Sequence, residues 1–169
     1  MDHTKKISRM LSIIALLALT ALHGQTPPSV SITVSGDLAA PLVLTGDDLA
    51  KMPRETVKVA GSSGTQVEYE GVLLREILVK AGAPMGKSLR GKALASYVVA
   101  KASDGYQVVF TLAELDPAFG AERILVADRR DGKPLPADQG PLRIVCAGDK
   151  EGARSVRMLN AVEFVRLLR

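Results

Sequence analysis

The strongest limit on what this chain can fold into is the lack of any regular alternation of strands with helices. Short extended runs recur along it: Val30–Val34, Leu42–Leu44, Thr56–Val59, Val67–Tyr69, Ala95–Ala102, Tyr106–Thr111, Arg123–Ala127, Leu142–Val145 and Ala161–Val165. Each is β-rich, several alternate apolar with polar residues, and the turn residues between them read as strand ends. Ser103–Asp104–Gly105 lies between two such runs and signals a hairpin. Only one segment carries a clear helical stripe. Leu74, Ile77, Leu78 and Ala81 fall at i, i+3, i+4 and i+7, Glu76 and Lys80 form an i, i+4 pair, and Gly82 with Pro84 closes the pattern. Thr45 with Asp48, and Thr111 with Glu114, mark the starts of two shorter helices. A further helical turn is expected at Ser155–Leu159. Many short strands with a few interspersed helices predict an α+β fold, not a doubly wound parallel sheet. No internal repeat or linker divides the chain, so one compact domain of mixed short strands and short helices is expected.

Residues 1–24 are read separately, as a signal peptide. Lys5, Lys6 and Arg9 form a basic start, Leu11–Leu22 is an apolar stretch of 12 residues, and small and polar residues follow. That stretch is shorter than the roughly 20 residues a membrane-spanning helix needs. The reading predicts a processed domain over 25–169, periplasmic or secreted, with no stable membrane anchor; a retained N-terminal anchor is the other reading of the same segment.

Processing would take both histidines, His3 and His23, and leave one cysteine and no tryptophan. Nucleophile systems that depend on an imidazole would then have no base, and no His/Cys/carboxylate cluster has the spacing of a zinc site. A net charge of +4 that partly resides in the removed segment, with 4% aromatic residues, gives neither a basic stripe nor a stacking platform for nucleic acid.

The C-terminal third carries the densest charge. Arg143, Lys150, Arg154 and Arg157 surround a loop with Gly148, Gly152 and Ser155. Glycine lets backbone N–H groups approach an anion, and arginine adds paired donors suited to phosphate. The Gly spacing is not that of a Walker loop, and a solvated basic face is the competing reading. Asp104 and Tyr106 flank Gly105 and are either turn and packing residues or a carboxylate and phenol offered to a substrate. Cys146 follows an apolar strand and reads as a small buried thiol; a thiolate that ligates a metal whose other ligands a cofactor supplies, or a redox thiol, are the other readings. Glu68, Tyr69 and Glu70 read as strand edge leading into the helix.

Four segments in order resemble the oxidoreductase molybdopterin-binding domain of the sulfite-oxidase type. They are Tyr69-Glu70-Gly71-Val72-Leu73-Leu74-Arg75-Glu76-Ile77-Leu78, Ala102-Ser103-Asp104-Gly105-Tyr106, Gly132-Lys133-Pro134-Leu135, and Gly140-Pro141-Leu142-Arg143-Ile144-Val145 with Gly152-Ala153-Arg154-Ser155-Val156-Arg157. The resemblance spans about Val30 to Val165. It implies an oxidoreductase that binds molybdopterin, with Arg143, Lys150, Arg154, Ser155 and Arg157 holding the pterin phosphate. In that family one cysteine thiolate also holds molybdenum, from a Cys-Ala-Gly-Asn loop. The matching stretch here is Val59-Ala60-Gly61-Ser62, and valine cannot coordinate a metal. Cys146-Ala147-Gly148-Asp149 has a similar local sequence but belongs to the C-terminal motif. No metal ligand and no catalytic residue is therefore assigned. The two functional expectations are a molybdopterin-binding oxidoreductase domain and a non-catalytic module that binds an anionic small molecule or a partner on the same fold.

Overall fold

The computed structural model describes residues 30–61, 64–120 and 122–167. The signal-peptide reading of residues 1–24 lies outside them. None of the described helices is long and apolar enough to cross a membrane.

Two sheets organise the described residues. The first runs β2 (Leu42–Thr45), β1 (Ser31–Gly36), β10 (Leu159–Val165), β5 (Tyr97–Ala102), β6 (Gln107–Thr111). Its β1–β10 pair is parallel, so the first and last strands of the described chain lie side by side, and its other pairs are antiparallel. The second runs β3 (Glu55–Ala60), β4 (Gln66–Leu73), β7 (Ile124–Arg130), β8 (Lys133–Pro134), with β9 (Arg143–Cys146) also on β7. Three short helices, α1 (Gly46–Ala50), α2 (Leu74–Lys80) and α3 (Leu112–Leu115), follow strands directly. The mixed sheets and short helices are the α+β architecture that the strand pattern predicts.

One apolar core joins both sheets. Ile32, Val34, Val98, Phe110 and Phe164 from the first meet Val72, Ile124, Val126 and Ile144 from the second, with Leu74, Ile77 and Leu78 of α2 between. Period-2 alternation explains a second, smaller cluster, because Val57, Val67, Tyr69, Leu125, Ala127 and Val145 point to the other face of the second sheet. Arg143 shares that face with Val145, whereas Cys146 points into the main core.

Local chemistry sets the ends of the elements. Thr45 and Thr111 each accept the N–H three residues on, while Asp48 and Glu114 reach back to the cap, which completes both capping boxes. Gly82, at φ +82°, ends α2 in the left-handed region. Glu76 is held by Arg75 Nη2 at 2.6 Å instead of by Lys80. The strand before α2 is longer than its apolar pattern suggests: β4 runs through Glu70–Gly71, where the register with β7 shifts. Arg54 secures this region, with two bonds to Asp128 at 2.6 and 2.8 Å and one to Glu70 at 3.0 Å.

The helical turn expected at Ser155–Leu159 is not formed. The turn instead occupies Gly152–Arg154 as a 3-10 segment. Downstream, Val156 accepts the Ile144 N–H and Leu159 donates to Leu142, both at 2.8 Å, so this backbone satisfies itself against the β9 segment. Met158, at φ +48°, turns the chain into β10.

Candidate functional site

A cleft of about 460 Å³ opens where three sequence-distant segments meet. Asp104 and Tyr106 come from the β5–β6 hairpin, Asp138 and Arg143 from the approach to β9, and Gly152, Ala153, Ser155, Arg157 and Met158 from the segment before β10. Tyr106 bridges two of them: its hydroxyl donates to the Ala153 carbonyl at 2.7 Å. Asp104 shapes the hairpin by accepting the Tyr106 N–H at 3.0 Å. Ser155 Oγ accepts the Cys146 N–H at 3.2 Å, which leaves its own O–H as a donor.

Arg143 is held from below. Its Nη1 donates to Gln139 Oε1 at 2.6 Å and to the Tyr69 hydroxyl at 3.3 Å, and its guanidinium carbon stands 5.3 Å from the Tyr69 ring centre. Its Nε is buried without a hydrogen-bond partner. Burial lowers the Arg143 pKa, and the like charges of Arg157 and Arg130 push the same way against the opposing influence of Tyr69 and Asp138. An anion bound here would relieve that repulsion. Arg157 is exposed and has no ion-pair partner among the described residues.

The remaining basic candidates lie elsewhere. Lys150 is exposed and does not line the cleft. Arg154 is turned into a knot of carboxylates: Asp149 takes its Nε and Nη2 at 2.8 and 2.7 Å, Glu114 lies at 3.4 Å and Glu122 at 3.7 Å. Phe110 adds a ring contact at 5.3 Å. Hydrogen bonding to Asp149 raises the Arg154 pKa, and the same bonds lower that of Asp149. Arg154 thus spends its donors inside the protein. It anchors the loop whose next-door residues, Ala153 and Ser155, line the cleft.

Asp138, Gln139 and the supporting role of Tyr69 were not apparent from the sequence. Asp138 and Gln139 sit in an irregular segment with no periodicity to expose them, and their adjacency to the Gly140–Pro141 turn was the only available signal.

Cys146 is unsuited to metal binding as it stands. It is buried, its Sγ donates to the Arg154 carbonyl at 3.5 Å, and burial with the nearby Asp149 charge pushes the thiol pKa up to about 12. At pH 8 almost no thiolate exists in the folded state, so thiol alkylation should run about a hundredfold or more slower in native protein than in urea-unfolded protein. Equal rates, followed by mass spectrometry, would contradict this burial. Val59 pairs with Val67 and packs, partly buried, on the smaller apolar cluster. Among the described residues no group of three His, Cys, Asp or Glu side chains is placed to hold an ion.

The decisive comparison is with protein families. The model of the oxidoreductase molybdopterin-binding domain matches residues 22–167. The chain belongs to this family. No curated protein matches it. Among solved structures, this molybdopterin-binding domain is similar to the sulfane dehydrogenase SoxCD from Paracoccus pantotrophus, with a TM-score of 0.61 and 20% identity. The match covers 80% of this chain and 38% of that one, so the likeness is one of fold. Against this family assignment, the donor set divides. The cleft offers Arg143 and Arg157 as cations and Ser155 as a hydroxyl donor. The protein sulfur that would complete a metal site is missing at Val59 and unavailable at Cys146.

Proposed function

We propose that this chain is a periplasmic or secreted molybdopterin-binding domain whose C-terminal segment holds the pterin phosphate through Arg157, Arg143 and Ser155. The observation that carries the reading is the convergence of these three residues with Asp104 and Tyr106 on one cleft. Arg157 offers a guanidinium with no ion-pair partner among the described residues, Arg143 a second cation whose repulsion an anion would relieve, and Ser155 a hydroxyl donor. In this reading Arg154 positions the loop and does not touch the ligand, and Lys150 adds only to the surrounding field.

The experiment is equilibrium binding of a phosphorylated pterin, followed by pterin fluorescence. Loss of the Arg157 contact in Arg157→Gln should weaken binding about tenfold or more, as expected for a charged hydrogen bond. Lys150→Gln should change it by less than about threefold, because an exposed charge contributes little. Equal losses in the two variants would point to diffuse attraction by a basic face. A second reading, a non-catalytic binding module, is favoured by one observation: neither Val59 nor the buried Cys146 supplies a thiolate.

A further inference from the structure

A sheet edge presents unpaired N–H and C=O groups that another strand can take up, and proteins ordinarily block it with charge, proline, short length or a covering segment. Most edges here are blocked. β3 carries Glu55 and Lys58, and Arg123 donates to its Thr56 carbonyl at 3.3 Å. β8 is two residues long and ends in Pro134. β9 is covered by the segment before β10, whose Val156 carbonyl accepts the Ile144 N–H. β2 is four residues long, follows Pro41 and ends in the capping box at Thr45. β6 has none of these devices. It is the outer strand of the first sheet and reads Gln107-Val108-Val109-Phe110-Thr111, without charge or proline.

The antiparallel ladder fixes which β6 groups face outward, because residues along it alternate between bonding the neighbouring strand and pointing away from it. The Ala102 N–H bonds the Tyr106 carbonyl, and the Thr111 N–H is taken by Glu114 instead of by β5. In the register between them, Val108 and Phe110 bond β5, while Gln107 and Val109 turn both backbone groups outward. Among the described residues nothing hydrogen-bonds these outward groups. The Val109 side chain is 52% exposed on the face away from the core, whereas Phe110 is fully buried. On β2 the same alternation leaves one such residue, Val43.

We propose that β6 is the interface between two copies of this chain, paired antiparallel about a two-fold axis at Val109. The proposal is independent of the pterin reading. The strand matches its own reverse in that register: Val109 meets Val109 of the second copy, Val108 lies beside Phe110, and Gln107 lies beside Thr111. Both groups of Val109 bond those of its copy, and each Gln107 N–H donates to the Thr111 carbonyl opposite. Apolar faces apolar, polar faces polar, and no like charges meet at the seam. This self-match selects a second copy over an unrelated strand. Two-fold pairing occupies the edge in both copies, so assembly stops at two.

Sedimentation of the purified chain from micromolar to millimolar concentration tests this, and the mass should rise from one copy to two. Val109→Lys sets two ammonium groups side by side and should weaken the dimer about tenfold or more. Val109→Pro should do the same, since it removes an outward N–H that β5 does not use. Val43→Lys, at an equally exposed valine on β2, should change it less than about threefold. Oxidation of Val109→Cys should give a disulfide-linked dimer, because paired Cα atoms there lie about 5.5 Å apart. Gln107→Cys should not, because its two copies would stand roughly 13 Å apart along the strand. A mass of one copy at every concentration, or a dimer that both Val109 variants leave intact, would overturn the proposal. So would species larger than two copies that Val43→Lys dissolves, which would mean β2 pairing with β6 in an open chain. Gln107→Cys cross-linking as fast as Val109→Cys would overturn the two-fold register.

Discussion

Arg154→Ala is expected to destabilise the protein by about 2–3 kcal/mol and to weaken ligand binding in a cleft that Arg154 does not line. The substitution removes a two-pronged bond to Asp149 and leaves Asp149, Glu114 and Glu122 facing one another without a cation. It also removes the contact over Phe110, a fully buried core ring. The estimate stays below that for a fully buried pair because Arg154 keeps a third of its side-chain surface exposed (33%). Arg154→Lys should recover part of the loss, since it restores the charge without the paired geometry. The effect has a pH signature. Arg154 lowers the Asp149 pKa, so the stability this pair contributes is present above the ordinary carboxylate range and disappears as pH falls through the folded value. Urea denaturation of wild type and variant at pH 7 and near pH 3 should therefore show a smaller difference at the acid pH. A difference independent of pH would rule out the ion pair as its cause.

Gly71→Ala should be at least as damaging, for a steric reason. A Cβ at Gly71 would lie 2.0 Å from the Val126 carbonyl oxygen and 2.6 Å from the Ala127 Cα. Both are backbone atoms of β7, at the register shift that lets β4 lead into α2. Neither can move away as a flexible side chain would, so the strands must separate. A cost of about 3 kcal/mol or more follows, or roughly 6–12 °C in melting temperature for a chain of this size. Gly105→Ala is the control. It has a positive φ of 89° but nothing within 4 Å, so it should show backbone strain alone and a smaller loss. Similar losses for the two variants, by thermal melting, would refute the close-approach argument.

These two positions show different limits of reading a sequence. Gly71 lies in a recognisable motif before the helix, and its presence there was visible, but its neighbour is β7, more than 50 residues away. Arg154 lies in the most charged loop, where residue type and spacing suggest a phosphate ligand. Its paired donors go to Asp149, five residues away, and Glu114 and Glu122, brought in from distant segments, complete the carboxylate knot. Glu114 illustrates both cases. Its capping role for α3 follows from three-residue spacing, whereas its reach to Arg154 does not.

Local, short-range rules account for what was legible in the residues alone: the α+β pattern, both capping boxes, the α2 stripe, the hairpin at Asp104–Gly105, and a basic C-terminal segment. Each depends on side chains only a few positions apart, where helix and strand periodicity or turn geometry dictates the outcome. Folding in three dimensions settled the rest. It chose which cations face the cleft, brought Asp138 to the same cleft, and turned Cys146 into the core. It also left the expected helical turn at Ser155–Leu159 unformed and set a 3-10 turn at Gly152–Arg154 instead. Those outcomes depend on which distant segments pack together, because a charged donor goes to whichever acceptor the assembled chain brings within reach.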